Sequence, residues 1–278
     1  MKKLILIFSL FGILFFNNCS KNEKIEIIEI SEDQIEGQMI KSYQEGMDAF
    51  RERLYLEAAK KFNEAEILFP QSEWAPRSAL MAAYAYFYDD YNNRAISVLI
   101  NFLKKYPNDP NISYAHYLLA MSYYNLIVDE KKDLEPLKKA KKQFEYIIQN
   151  YPNTEFSLDS NFKLDLLNEM IASKEMYIAR HYIKKEKWIP AINRLKFIVT
   201  NYDNTIFIEE ALHRLVEIYY KIGLKDESRK YAVLLGHNYP ESKWYKNTYK
   251  VHNKNYKIHD IKNENKKSTI EKLKSLID

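Results

Sequence analysis

Residues 46–70, GMDAFRERLYLEAAKKFNEAEILFP, decide the fold. Gly46, Tyr55, Ala58, Phe62, Ala65 and Pro70 stand at offsets of 9, 12, 16, 19 and 24 from the first of them. Ala58, Phe62 and Ala65 share one face of a helix, because residues three and four apart lie above one another. Gly46 lets a neighbouring helix approach closely, and Pro70 stops the chain from continuing helical. One such hairpin cannot bury its apolar face alone, so further copies are expected to stack on it.

The copies follow. Ala83, Tyr86, Ala95, Leu99 and Pro107 return after 37 residues. Ala120 and Tyr123 open a third unit that Ala140, Phe144, Ile147 and Pro152 close, the surplus falling in the polar stretch VDEKKDLEP around Val128 to Pro136, which belongs in a loop. Ala179, Tyr182, Trp188, Ala191, Leu195 and Ile198 form a fourth, with Asp203 in place of the closing proline and a long helical pattern from about Ser157 to Lys184 before it. Leu215, Val216, Tyr219, Ser228, Ala232, Leu235 and Pro240 make a fifth. Between units stand FPQSEW, YPNDPN, YPNTEF, YDNTIF and YPESKW: an aromatic, a breaker, and then Asn, Ser or Thr to cap the next helix. The spacing of small, aromatic and breaker positions is that of the tetratricopeptide (TPR) helix-turn-helix repeat. The expected fold is all-α: an elongated right-handed solenoid of about five TPR-like hairpins and about ten helices, bent around repeats 3 and 4. Residues 241–251 are expected to form a helix that covers its end.

The ends of the chain carry other signals. Two lysines, an apolar run from Leu4 to Phe16 and the sole cysteine, Cys19, open the sequence. The run is shorter than the roughly 20 residues needed to span a bilayer, and suits the apolar core of a secretory signal at 1–18. A lone cysteine cannot close an intrachain disulfide, and Cys19 sits where a signal peptidase would cut. Its place resembles a bacterial lipobox, and in that pattern Ser20 directs the protein to the outer membrane. Multiple acyl chains there would hold the protein on a bilayer, each buried methylene contributing about 0.8 kcal/mol. Residues 19–37 read as the lipidated terminus and a flexible acidic tether, 38–153 as repeats 1–3, and 154–251 as repeats 4–5 with their capping helix. Residues 252–278 read as a lysine-rich tail with little structure. From Lys246 to Asp278 nine lysines face four acids, but an exported protein rarely meets nucleic acid, so acidic lipid or protein is the expected contact if the tail has one.

Candidate chemistry is sparse. Five glycines build no phosphate loop, and neither a G-x-S-x-G elbow nor an H-E-x-x-H pair occurs. Glu210 and His213 have the i, i+3 spacing of di-iron bundles without a second copy, and read as a helix-surface pair. No enzyme, no metal and no cofactor are therefore expected. What remains is binding along the inner wall of the solenoid, formed by the first helix of each repeat. Tyr43, Arg77, Tyr84, Tyr114, Tyr117, Arg180 and Arg214 are its non-core candidates, suited to an extended or helical peptide.

The segments NISYAHYLLAMSYYN, with Tyr114, Ala115, Tyr117 and Ala120, and Glu175 to Tyr202, with Ile178, Ala179, Tyr182, Trp188, Ala191, Asn193 and Arg194, resemble the Tyr-Ala-x-Tyr, Val-Ala-x-Tyr-Tyr and Ala-x-Asn-Arg motifs of the BamD family. These are TPR lipoproteins of the outer-membrane β-barrel assembly machinery, and the likeness runs from about Cys19 to Tyr245. It implies a non-catalytic scaffold, lipid-anchored through Cys19 on the periplasmic face of the outer membrane. It implies unfolded outer-membrane proteins as clients on the amino-terminal repeats, at Tyr43, Arg77, Tyr84, Tyr114 and Tyr117. It also implies docking of the barrel-bearing, BamA-like subunit through a POTRA domain at Tyr182, Asn193, Arg194 and Arg214, and leaves room for other lipoproteins of that machinery. The alternatives are another TPR lipoprotein, such as a secretin pilotin or a cell-envelope or peptidoglycan coordinator, and an accessory to a periplasmic wall enzyme.

Overall fold

The computed structural model describes residues 31–128 and 134–251. The signal segment, Cys19, most of the tether, the middle of the 128–136 insertion and the lysine-rich tail lie outside the described residues. Within them the chain folds into α1 (Glu32–Arg51), α2 (Tyr55–Leu68), α3 (Trp74–Tyr88), α4 (Asn92–Lys105), α5 (Ile112–Asn125), α6 (Glu135–Asn150), α7 (Glu155–Lys184), α8 (Trp188–Asn201), α9 (Ile208–Lys221), α10 (Lys225–Asn238) and α11 (Lys243–Val251). Consecutive helices pack on each other throughout, so α1/α2, α3/α4, α5/α6, α7/α8 and α9/α10 form five stacked hairpins.

The small and aromatic positions do what their spacing requires. Ala58, Phe62 and Ala65 are wholly buried, and a Cβ on Gly46 would lie 2.8 Å from the Phe62 ring, so the glycine is what lets α1 and α2 close. The pattern recurs in Ala95 and Leu99, in Ala140 and Phe144, and in Ala191 and Leu195. Their neighbours join into buried clusters that each span the seam between hairpins, such as Ala79, Leu99, Phe102 and Leu119 across repeats 2 and 3.

Two kinds of turn repeat. Inside four hairpins one residue takes the left-handed conformation: Arg53 (φ 63), Asp90 (φ 58), Glu186 (φ 54) and Gly223 (φ 86). The next amide donates five residues back, as Leu54 N–H does to the Ala49 carbonyl at 2.9 Å and Leu224 N–H to the Tyr219 carbonyl at 2.8 Å, which closes the helix end. Between hairpins the chain extends at Phe69, Tyr106, Tyr151, Tyr202 and Tyr239. Three residues on, the hydroxyls of Ser72, Thr154 and Thr205 donate to the carbonyls of Phe69, Tyr151 and Tyr202. Of these three only Thr154 also caps the next helix, accepting from Ser157 N–H at 3.2 Å. Ser72 and Thr205 staple the turn instead of serving as the expected caps.

The end of the stretch 19–37, expected as a flexible tether, is helical. Helix α1 begins at Glu32, because Ser31 and Gln34 form a capping box in which Ser31 N–H donates to Gln34 Oε1 at 3.3 Å, and Glu32 and Asp33 face the positive end of the helix. The long helix α7 runs 30 residues as its pattern requires. The closing helix is present as α11, and Trp244 enters it from YPESKW as Trp74 enters α3 from FPQSEW, so α11 stands where the first helix of a sixth hairpin would.

Candidate functional site

Helix α3 sets Arg77, Met81, Tyr84 and Tyr88 one above another, at spacings of three and four. Tyr84 stacks on Phe50 of α1 at 5.5 Å between ring centroids and 19° between planes. Tyr88 meets Tyr84 at 5.1 Å and Tyr55 of α2 at 5.3 Å. From Tyr84 the contacts pass to Tyr114 of α5 at 6.4 Å, from Tyr114 to Phe156 of α7 at 5.5 Å, and from Phe156 to Tyr117 at 5.2 Å. The result is an unbroken aromatic wall over the first helices of repeats 1 to 4. Tyr117 Oη donates to Asp159 at 2.7 Å, which fixes the polar end of the ring. Burial holds the Tyr84 hydroxyl above the usual phenol range, with Tyr88 adding to it, and raises Tyr114 and Tyr117 further. Tyr84, Tyr114 and Tyr117 therefore stay neutral at physiological pH, offering apolar faces with hydroxyl donors.

Tyr84, Tyr114 and Tyr117 are thus brought together as the spacing predicts. Tyr43 is not among them, being only 8% exposed, packed on Phe62 at 5.3 Å and Trp74 at 5.2 Å. Its position faces the next repeat rather than the groove, so it serves as core. Arg77 is exposed, its guanidinium lying over Trp74 at 5.2 Å and Tyr43 at 5.7 Å. Sequence reasoning missed Phe50, Tyr55, Tyr88 and Phe156. Phe50 is signalled by lying one helical turn after Gly46, and Tyr88 by continuing the α3 stripe.

The wall changes character after repeat 3. The residue following the small position of each first helix is Met47, Tyr84, Met121, Arg180 and Glu217 in turn. The first three are half-buried beside apolar clusters, whereas Arg180 and Glu217 enter an ionic row. Arg180 of α7 pairs with Glu210 of α9 through both Nε, at 2.9 Å, and Nη2. Arg214 donates to Glu217 at 2.7 Å and lies 3.4 Å from Glu210. His213 Nε2 lies 3.4 Å from Glu217 Oε1 without hydrogen-bonding geometry. Burial disfavours the Arg214 charge, but Glu217 and Glu210 outweigh it and hold the guanidinium above its usual value. Glu210 and His213 are therefore core residues, not a helix-surface pair. Arg214, at 3% exposed and paired on both sides, is not open for docking, and its burial under α11 is the reason. Of the other docking candidates, Asn193 is exposed, Tyr182 is half-buried against the core, and Arg194 is 44% exposed with Nη1 bonded to the buried Glu175 at 2.9 and 3.2 Å. Among the described residues no His, Cys, Asp and Glu cluster is arranged to hold a metal ion, and no helix is long and apolar enough to cross a membrane.

Residues 35–234 match the model of a family described as YfiO, outer membrane lipoprotein. The outer membrane protein assembly factor BamD of Rickettsia prowazekii is 41% identical over 209 residues, covering 75% of this chain and 83% of that protein. Its counterpart in Caulobacter vibrioides is 37% identical, covering 77% of this chain and 70% of that one. The BamD of Neisseria meningitidis serogroup A is 31% identical, covering 73% and 79%.

Proposed function

The chain belongs to the YfiO family of outer-membrane lipoproteins, and from that premise we propose that it is a BamD-like outer-membrane protein assembly factor, a binding scaffold without catalysis of its own. Relatives bearing the assembly-factor name match most of the chain, which favours this reading over a secretin pilotin, a cell-envelope coordinator or a wall-enzyme accessory. Family membership places it at the outer membrane. Attachment through acyl chains on Cys19, on the periplasmic face, completes the proposal.

The observation that carries the mechanism is the aromatic wall. Unfolded outer-membrane proteins expose extended segments of alternating apolar residues. A continuous row of neutral rings, backed by Met47, Met81 and Met121, offers apolar contact without demanding one sequence, because methionine side chains reshape at little cost. Tyr84, Tyr114 and Tyr117, with Arg77 at the edge, form the client side. The barrel-bearing, BamA-like subunit docks through the carboxy-terminal repeats, with Arg194 as the charged anchor and Asn193 and Tyr182 beside it in sequence. Photocrosslinkers replacing Tyr84 and Tyr114 are expected to capture unfolded client in envelopes, and their failure to do so removes the client assignment. Arg194→Glu is expected to abolish copurification with the barrel-bearing subunit, and intact copurification removes the docking assignment.

A further inference from the structure

Four charged or polar side chains of α9, Glu210, His213, Arg214 and Glu217, follow each other along the helix and are all buried. Ions taken out of water cost several kcal/mol each unless every partner is in place. Arg214 finds its counter-ions within α9, in Glu217 and Glu210, and the remaining contacts come from two other helices. Arg180 of α7 supplies one side through Glu210. Helix α11 supplies the other: Trp244 lies over Arg214 at 5.3 Å and against the His213 ring at 5.2 Å. Thr248 donates its hydroxyl hydrogen to the Trp244 carbonyl, so its oxygen is left to accept from His213 Nδ1–H at 2.9 Å. Ser242, just ahead of α11, donates to Glu209.

The same geometry elsewhere is apolar. Tyr43 and His213 hold equivalent positions, as do Trp74 and Trp244, and each pair stands 5.2 Å apart. In repeat 1 that contact joins two hairpins ring to ring with no buried charge, the exposed Arg77 lying over both rings. In repeat 5 it closes over a row of charges, to which α11 brings the Trp244 ring over Arg214 and His213 and the Thr248 hydroxyl to His213. We infer that α11 is a clasp: seated on α9, it completes the buried ion row and thereby fixes α9 against the distal half of α7. Helix α8, which carries Arg194, is packed between those two helices in the chain order α7, α8, α9. The clasp thus sets the shape of the docking face without touching a partner, a consequence that rests on the docking reading above.

Amide hydrogen exchange on the full chain tests this with Trp244→Ala and its conservative counterpart Trp244→Phe. The alanine variant is expected to speed exchange about fivefold or more, the equivalent of one lost buried hydrogen bond, both in α9 and in residues 175–184 of α7. Repeats 1 and 2 should be unchanged, copurification with the barrel-bearing subunit should fall, and the phenylalanine variant should restore both. Should Trp244→Ala not fold, Thr248→Val, which removes only the hydroxyl held by His213, is expected to show the same regional pattern. Faster exchange confined to α11, or spread evenly over the array, overturns the clasp. If Arg194→Glu leaves copurification intact, the docking reading alone falls, and the exchange pattern still decides the clasp.

Discussion

Gly46 shows what one missing methyl group can hold. Its backbone lies against Phe62, which is wholly buried and has no free direction in which to move. Gly46→Ala is therefore expected to destabilise the protein by about 1–3 kcal/mol through overpacking, measured by urea unfolding, despite the higher helix propensity of alanine. Glu169 on α7 makes a different prediction. It accepts from Ile206 N–H at 3.0 Å through one oxygen, while its other oxygen is buried without a partner. Burial raises its pKa, with Asp165 adding to the rise and the Ile206 bond opposing it. A carboxyl whose folded pKa lies above its unfolded one carries no penalty below the unfolded value, and loses stability as pH climbs toward the folded value. Glu169→Gln is thus expected to raise Tm at pH 7, with the gain vanishing as pH falls into the carboxylate range. At this scale the sequence was legible where spacing alone decides, as at Gly46, Tyr84 and Tyr114. It was not legible at Tyr43 and Arg214, because periodicity assigns a face but not what will cover it. Only the neighbouring helix decides whether that face meets water.

The turns hold the next level together. Among the described residues four hairpins demand a left-handed residue at the same place, and the demand is met there by arginine, aspartate, glutamate and glycine. A side chain in that conformation costs about 1–2 kcal/mol, against roughly 0.5–1 kcal/mol of backbone entropy for glycine. Glu186→Gly should accordingly stabilise repeat 4 by a few tenths to about 1 kcal/mol, and Gly223→Ala should destabilise repeat 5 by about 1 kcal/mol. Thermal unfolding of the two variants checks both signs, and equal signs would contradict the shared turn geometry. Element boundaries were readable from the aromatic-and-breaker punctuation, since each such site extends the backbone in the same way. The start of α1 was missed because its signal is a reciprocal pair, Ser31 and Gln34, set in a run of isoleucines and acids that otherwise lacks a helical stripe.

Across the whole molecule the same framework of five hairpins carries an aromatic wall at one end and a buried ionic row at the other. First helices of repeats 1 to 3 turn Met47, Tyr84 and Met121 to the wall, and those of repeats 4 and 5 turn Arg180 and Glu217 inward to an ionic row. The change follows the residue after the small position of each repeat and needs no change of fold, which is how one repeat architecture would divide the two tasks proposed for it. The division has a measurable consequence in salt. Apolar contact with neutral rings is not screened by ions and is strengthened by many of them, whereas an exposed guanidinium such as that of Arg194 acts across a Debye length that shrinks from about 10 Å at 0.1 M to about 3 Å at 1 M. Crosslinking of client at Tyr84 and Tyr114 is therefore expected to persist from low to high ionic strength. Association with the barrel-bearing subunit should weaken over the same range, and Arg194→Glu should remove most of that salt dependence along with the binding. A client signal that falls with salt as steeply as the docking signal would mean that the wall reads charge, through Arg77 or Asp159, and that the rings only line its path.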